Sequence, residues 1–370
     1  MALIRAAVIP KPNTPIEIRE YREPGIPDGG VLLRTLYSEV CGTDVHLFHG
    51  KLSGVPYPLI PGHVAVGIAE KVRGNVCDLS GEPIREGETI TYLDVHKTCG
   101  RCWNCLVAKA STRCPERKVY GITYGANDGL LGGWSEKMLL LPGVHILRLP
   151  KTVEPRTFIG GGCGLQTAVH AVQRGEIKLG DSVVVLGSGP VGLSCVALAS
   201  LSGACRVIVS GAPEDRLELA KGFGADDVID IAKLNEAERI EKVRSLTEGR
   251  GADVVIEACG NPNAVREALD MVRDQGRVVI VGQYTDRGDV SLNPHSAINR
   301  KHVSLQGVWG SDYSHLYSGI RLIERFQSRV PWHRLALNVY SLERAAEALD
   351  DIKEQRCVKA VLQLNTVNAK

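Results

Sequence analysis

The chain of 370 residues carries almost no net charge: 44 Lys and Arg stand against 42 Asp and Glu, a formal balance of +2. With no long basic run anywhere, neither nucleic acid nor an anionic membrane is expected as a partner. No stretch approaches the ~20 uninterrupted apolar residues needed to span a bilayer. The opening Met1-Ala-Leu-Ile-Arg-Ala-Ala-Val-Ile-Pro10 is broken by Arg5 and ended by Pro10, and lacks the layout of a secretory signal. The cytoplasm is therefore the expected compartment. Internal repeats and low-complexity segments are also missing, which excludes repeat arrays and leaves an ordinary globular chain. The eleven cysteines are an odd number. In a long chain without a secretory signal they read as thiols and metal ligands, not as a disulfide framework.

Two textures divide what remains. Up to about residue 164 the chain is rich in Gly and Pro. Short β-branched runs such as Gly30-Val-Leu-Leu-Arg-Thr-Leu36 and Glu88-Thr-Ile-Thr-Tyr92 are separated by turn clusters such as Pro27-Asp-Gly-Gly30. An irregular, mostly β domain is expected there. From about residue 165 apolar strands alternate with helices. Val183–Leu186, Arg206–Val209, Asp253–Ile256 and Arg277–Val281 read as strands buried on both faces. Pro190–Ser202, Glu214–Gly222, Asn235–Thr247 and Asn263–Val272 read as the helices between them. Such alternation implies parallel pairing with right-handed crossovers. It fades after about Trp309, leaving one amphipathic helix, Leu342–Lys353, and a last strand, Val358–Leu364. The fold class is thus α/β, with a doubly wound parallel sheet over 165–309 and a mostly β domain over 1–164 and 310–370.

The sharpest local signal is Cys99-Gly-Arg-Cys102-Trp-Asn-Cys105, with Cys114 after eight intervening residues. Two-residue gaps let three thiolates converge from one tight loop, and a fourth closes a tetrahedron around Zn²⁺. Four sulfurs leave no open position, so this site is structural. A second set is scattered: Cys41 in Cys41-Gly-Thr-Asp-Val-His46, His63 in Pro61-Gly-His-Val64, and Cys163 in Gly160-Gly-Gly-Cys-Gly164. Spacing alone does not join these three, because a lone Cys among glycines is usually a small buried residue and a lone His usually structural. Val183-Val-Val-Leu-Gly187-Ser-Gly189-Pro-Val-Gly192 is a strand running into Gly-x-Gly-x-x-Gly and then a helix. Gly187 suits the tight turn, Gly189 the approach of backbone to a pyrophosphate, and Gly192 helix–strand packing. The N-terminus of the helix, with Pro190 and Val191 in its first turn, favours phosphate charge.

Taken together and in this order, the segments from about residue 5 to 364 resemble the zinc-containing medium-chain alcohol dehydrogenase family of the medium-chain dehydrogenase/reductase superfamily. The resemblance implies a GroES-like catalytic domain beside a Rossmann domain, two Zn²⁺ per chain and a nicotinamide cofactor. It implies a small alcohol or carbonyl substrate and a homodimer or homotetramer. It assigns Cys41, His63 and Cys163 to a catalytic zinc with one open position, Thr43 and His46 to a proton relay, and Asp44 to orienting the histidine ligand. For Thr43 and Asp44 a simple turn after Gly42 is the alternative. The family's histidine ligand is usually followed by Glu; here that residue is Val64, so the site loses a carboxylate.

The resemblance further places Val255-Ile-Glu-Ala-Cys-Gly260 and Val279-Ile-Val-Gly282 beside the nicotinamide, and Arg300 and Lys359 at positions suited to cofactor phosphate, with surface charge as the alternative. Cys195, Cys205 and Cys259 read as small core residues. Tyr124, Trp134 and Trp309 are candidate pocket aromatics, with core packing the alternative for Trp134. At the end of the second strand, where an acid usually holds the ribose hydroxyls, the chain has Gly211 after Ser210. Arg216 is the nearest cation. NADP is therefore permitted but not selected, with a slight lean to NAD. The expected reaction is hydride transfer between an alcohol (primary or secondary, cyclic or polyol) and NAD(P). Two rival readings are a dismutase-like enzyme with a tightly held cofactor and a non-catalytic dinucleotide sensor.

Overall fold

A computed structural model describes residues 3–366. The chain divides into two compact units. One runs to Gly162 and adds Asp312–Glu324 and the segment from Trp332 onward; the other comprises Cys163–Ser311 and Arg325–Pro331.

The first unit is built on a sheet of seven strands. Its path runs Asn338–Tyr340, Ala360–Gln363, Val31–Val40, Ala65–Val72, Thr89–Tyr92 and Ile146–Arg148, with Lys137–Leu140 also paired to the central Val31–Val40. Apart from the first pair the strands of the path run antiparallel. The central strand is buried along most of its length, which is why Val31, Leu32, Leu33, Leu36 and Val40 form a near-continuous apolar run. Two register shifts against Ala65–Val72 bend this pair. The shifts fall between Leu32 and Leu33 and between Thr35 and Tyr37, and Cys41 follows the far end of the strand.

The second unit is a parallel sheet of six strands. Its order is Asp227–Asp230, Arg206–Gly211, Ser182–Leu186, Ala252–Glu257, Val272–Ile280, Ser304–Gly307. Numbered by sequence within the sheet this is 3-2-1-4-5-6, the order of dinucleotide-binding sheets, and all five pairings are parallel. Helices Pro190–Leu201, Glu214–Gly222, Glu236–Leu246 and Pro262–Met271 connect them. Asn235 caps Glu236–Leu246 by accepting from the Glu238 N–H, and Glu238 returns the bond to the Asn235 N–H (3.1 and 2.7 Å).

Two helices depart from the sequence reading. Pro155–Gly175 is helical through the glycine run, with a break at Gly162 (φ 47°, ψ −143°). Tyr313–Phe326 is a second amphipathic helix in the C-terminal segment, burying His315, Leu316, Gly319, Ile320 and Ile323. No helix among the described residues is long and apolar enough to cross a membrane.

Candidate metal centres and nucleotide site

The four-cysteine loop closes on itself. Its four sulfurs lie within 4.8 Å of one another. The backbone turns that bring them together also point N–H groups at sulfur: Cys102 N–H donates to Cys99 Sγ and Cys99 N–H to Cys114 Sγ, both at 3.3 Å. The backbone N–H groups of Arg101 and Cys102, with the thiols of Cys102 and Cys114, hold the Cys99 thiol down to about 7. All four cysteines are free of disulfides. Four convergent sulfurs with one already acidic form a donor set that fits Zn²⁺.

The second cluster is assembled from three segments. Cys41 caps the short helix Gly42–Phe48, and the Asp44 carboxylate turns back to accept the Cys41 N–H at 2.9 Å. His63 follows Gly62 (φ 89°), where a Cβ would stand 2.5 Å from Trp134 Cδ1 and 2.7 Å from Ser38 Oγ; only glycine fits that approach. Cys163 follows the helix break at Gly162. The ligand atoms of Cys41, His63 and Cys163 all lie within 4.8 Å of one another.

The surroundings favour a cation. Burial alone would lower the His63 imidazole, but the charges of Cys41, Asp44, Asp94 and Glu39 outweigh it and raise it to about 9. Burial lifts the Asp44 carboxyl to about 6, opposed by His63 and by the backbone N–H groups of Cys41 and Gly62. His63 Nδ1 and Asp44 Oδ1 are buried without a hydrogen-bond partner. A donor set of two thiols and an imidazole, in an anionic recess, fits a zinc ion with a position left open. Thr43 and His46 stand in the helix Gly42–Phe48, both partly exposed.

The glycine motif occupies the turn between the first strand and helix of the second unit. Gly187 has φ 116°, and a Cβ there would stand 3.0 Å from the Ala258 carbonyl. Gly192 packs so that a Cβ would run into the Gly187 oxygen. A Cβ on Gly189, by contrast, would meet no protein atom within 4 Å, leaving its backbone open to approach. Gly189 caps the helix that Pro190 and Val191 begin. Ser210 (4% exposed) and Gly211 end the second strand, and Arg216 is buried in the next helix.

Two expectations are corrected. Lys359 is no phosphate ligand: its ammonium is fully buried, paired to Glu39 at 2.8 Å and donating to the carbonyls of Ile159 (3.0 Å) and Gly161 (3.3 Å), so its three hydrogens are committed. Arg300 is exposed, at the end of a short helical turn. Cys195 is buried, its thiol pushed up to about 12 by burial, but Cys205 and Cys259 are exposed and not core residues. Of the aromatics, Trp134 is fully buried and donates to the Glu39 carbonyl (3.1 Å). Tyr124 bonds His96 Nδ1 through its hydroxyl (2.5 Å), and Trp309 stacks on Tyr284.

Sequence reasoning missed three polar residues. Glu257, inside the quoted Val255–Gly260 motif, is fully buried and accepts from the N–H groups of Cys259 (2.9 Å), Gly260 (2.6 Å) and Gly282 (3.2 Å), tying together the loops after two strands. Ser188 fills the space beside Gly211: a Cβ on Gly211 would lie 2.6 Å from Ser188 Oγ and 2.9 Å from its Cβ. Glu39 is an acid at an inward-facing strand position, 1% exposed. Acids in strands otherwise apolar were the available signal for Glu39 and Glu257.

A closed site of four sulfurs, an open site of two thiols and an imidazole, and a 3-2-1-4-5-6 parallel sheet define a metal-binding, dinucleotide-dependent oxidoreductase. Known proteins match both units. Residues 27–151 match the alcohol dehydrogenase GroES-like domain and residues 190–325 the zinc-binding dehydrogenase domain. The chain is 31% identical over 364 residues to 5-exo-hydroxycamphor dehydrogenase of Pseudomonas putida, covering 98% of this chain and 99% of that one. It is 32% identical over 303 residues to L-threonine 3-dehydrogenase of Pyrococcus horikoshii, 81% of each chain. The crystal structure of an alcohol dehydrogenase from Thermotoga maritima superposes with a TM-score of 0.93 at 32% identity, over 98% of this chain and 100% of that one. The chain belongs to the zinc-containing medium-chain alcohol dehydrogenase family.

Proposed function

We propose that the protein is a zinc-dependent dehydrogenase that oxidises a secondary alcohol to a ketone, and reverses the reaction, with NAD(P). The convergence of Cys41, His63 and Cys163 carries this reading, because three ligands hold a metal and leave it open to a substrate oxygen. A zinc ion held there would supply Lewis acidity, and a bound nicotinamide would supply the hydride acceptor or donor. The chain's own residues do the rest. Cys41, His63 and Cys163 hold the metal, and Asp44 orients His63. The Thr43 hydroxyl takes the alcohol proton and His46 passes it to solvent. The turn Gly187–Gly192 receives the pyrophosphate at the helix that starts with Pro190 and Val191, while Ser210, Gly211 and Arg216 border the adenosine ribose.

A secondary alcohol is favoured because the names of both relatives describe oxidation at a carbon bearing two other carbons. With no acid at Gly211, discrimination between NAD and NADP is weak and leans to NAD. Among the described residues the outer strand Ser304–Gly307 is paired on one side only, which supports assembly as a homodimer or homotetramer. Zinc analysis of the purified protein tests the central claim. Two ions per chain are expected, falling to one in Cys41→Ala. One zinc, unchanged by Cys41→Ala, would remove the open metal centre.

A further inference from the structure

The carboxylate missing at Val64 has a counterpart one hydrogen bond away. Glu39 N–H donates to the Val64 carbonyl at 3.0 Å, so the two residues are direct neighbours across the paired chains. Val64 is 4% exposed and apolar, whereas Glu39, equally hidden, carries a carboxylate. That carboxylate meets Lys359 at 2.8 Å, and neither side chain reaches solvent. Removing two ions from water costs several kcal/mol each, so such a pair is poor evidence of a stability gain. Its position offers another reason for it. Glu39 stands two residues before Cys41. Lys359 takes the carbonyls of Ile159 and Gly161 at the helix break that precedes Cys163. Gly162, at that break, lies so close that a Cβ would run into Glu39 Oε2 and come within 2.7 Å of Lys359 Nζ. The pair thus joins the two segments that deliver the cysteine ligands. The charge of Glu39 also bears on His63 and Asp44.

We infer that Glu39, clamped by Lys359, is a positioning residue of the three-ligand centre and takes over in space the part of the acid that is absent at position 64. Lys359 holds Glu39 and the helix break in one arrangement, and that arrangement sets where the two thiols stand. This rests on the reading that Cys41, His63 and Cys163 hold zinc.

The test measures zinc release to a chromophoric chelator from the intact protein, with the four-cysteine zinc as internal reference. In Glu39→Gln one zinc should leave more readily, by about the 10–100-fold in affinity typical of residues that orient metal ligands. The second zinc should be held as in the unaltered protein. Lys359→Met should act in the same direction. The exchange Glu39→Val with Val64→Glu should recover retention. Unchanged release in Glu39→Gln would overturn the inference, and so would loss of both zincs in step with a fall in melting temperature. A folded exchange variant that releases zinc as readily as Glu39→Gln would overturn the equivalence of positions 39 and 64. If the unaltered protein holds only the four-cysteine zinc, the proposed function fails instead, and the two failures are told apart by the starting metal count.

Discussion

The two sulfur-bearing sites solve the same problem at opposite ranges in the chain. Cys99, Cys102, Cys105 and Cys114 come from one loop, and their geometry is set by tight turns and by N–H groups aimed at their own sulfurs. Cys41, His63 and Cys163 come from a helix cap, a glycine-led turn and a broken helix, and only the folded chain brings them together. The local site needs little beyond itself. The assembled site needs a buried acid, a buried lysine and several glycines around it. A closed, local site suits a structural role, and an open, assembled one suits a reactive role whose ligand positions answer to distant parts of the chain.

The largest effect that would sharpen this contrast is loss of turnover in Cys41→Ala, with folding and the loop zinc retained, as read by activity, metal content and circular dichroism. Turnover near that of the unaltered protein would erase the distinction between the sites. Cys102→Ala should do the reverse. It should lower the melting temperature and release the loop zinc, while turnover at low temperature persists. A full loss of activity with unchanged stability would break the comparison from the other side.

A smaller effect concerns the nucleotide unit, where a local motif again depends on a distant neighbour. Gly211→Asp, the simplest route to a ribose-binding acid, is expected to weaken NADH and NADPH alike. The new Cβ would sit 2.6 Å from Ser188 Oγ, and such crowding costs about 1–3 kcal/mol. With Ser188→Gly added the two nearest atoms are removed, the backbone nitrogen at 3.1 Å staying, and NADH binding should recover while NADPH binding does not. Fluorescence titration of both reduced cofactors reads this directly. A single Gly211→Asp variant that keeps NADH affinity and loses NADPH would show that Ser188 does not block the position. Smallest is the relay. His46→Gln should slow alcohol oxidation most at low pH, by less than the roughly 10²–10⁴-fold of a general base because water can substitute. Superimposable pH–rate profiles would remove His46 from the pathway.

These contrasts also account for what could be read in advance. Strands such as Ser182–Leu186 and helices such as Glu214–Gly222 were legible because buried parallel strands are continuous apolar runs and the turns between them are marked by glycine or cap residues. The four-cysteine loop was legible because its spacing is local. The helix Pro155–Gly175 was not: a run of glycines is a poor helix former, yet the chain is helical on both sides of Gly162, where close packing leaves no room for side chains and a Cβ on Gly160 would collide with the Trp332 carbonyl. Lys359 was misread because a basic residue near the chain's end is usually solvated, and its partner Glu39 lies 320 positions earlier. The strand pairing Ala360↔Val40 that brings them together is a property of topology, which no local pattern encodes.

The same burial makes Lys359 a natural reporter. Amine-reactive labels modify lysines that reach solvent, and in the folded chain this one does not. Its modification would require the strand Ala360–Gln363 to part from Val31–Val40 or the helix break to open. The rate at which Lys359 becomes labelled, set against an exposed lysine such as Lys233, would therefore measure how often the first unit breathes, without any probe having been engineered into it.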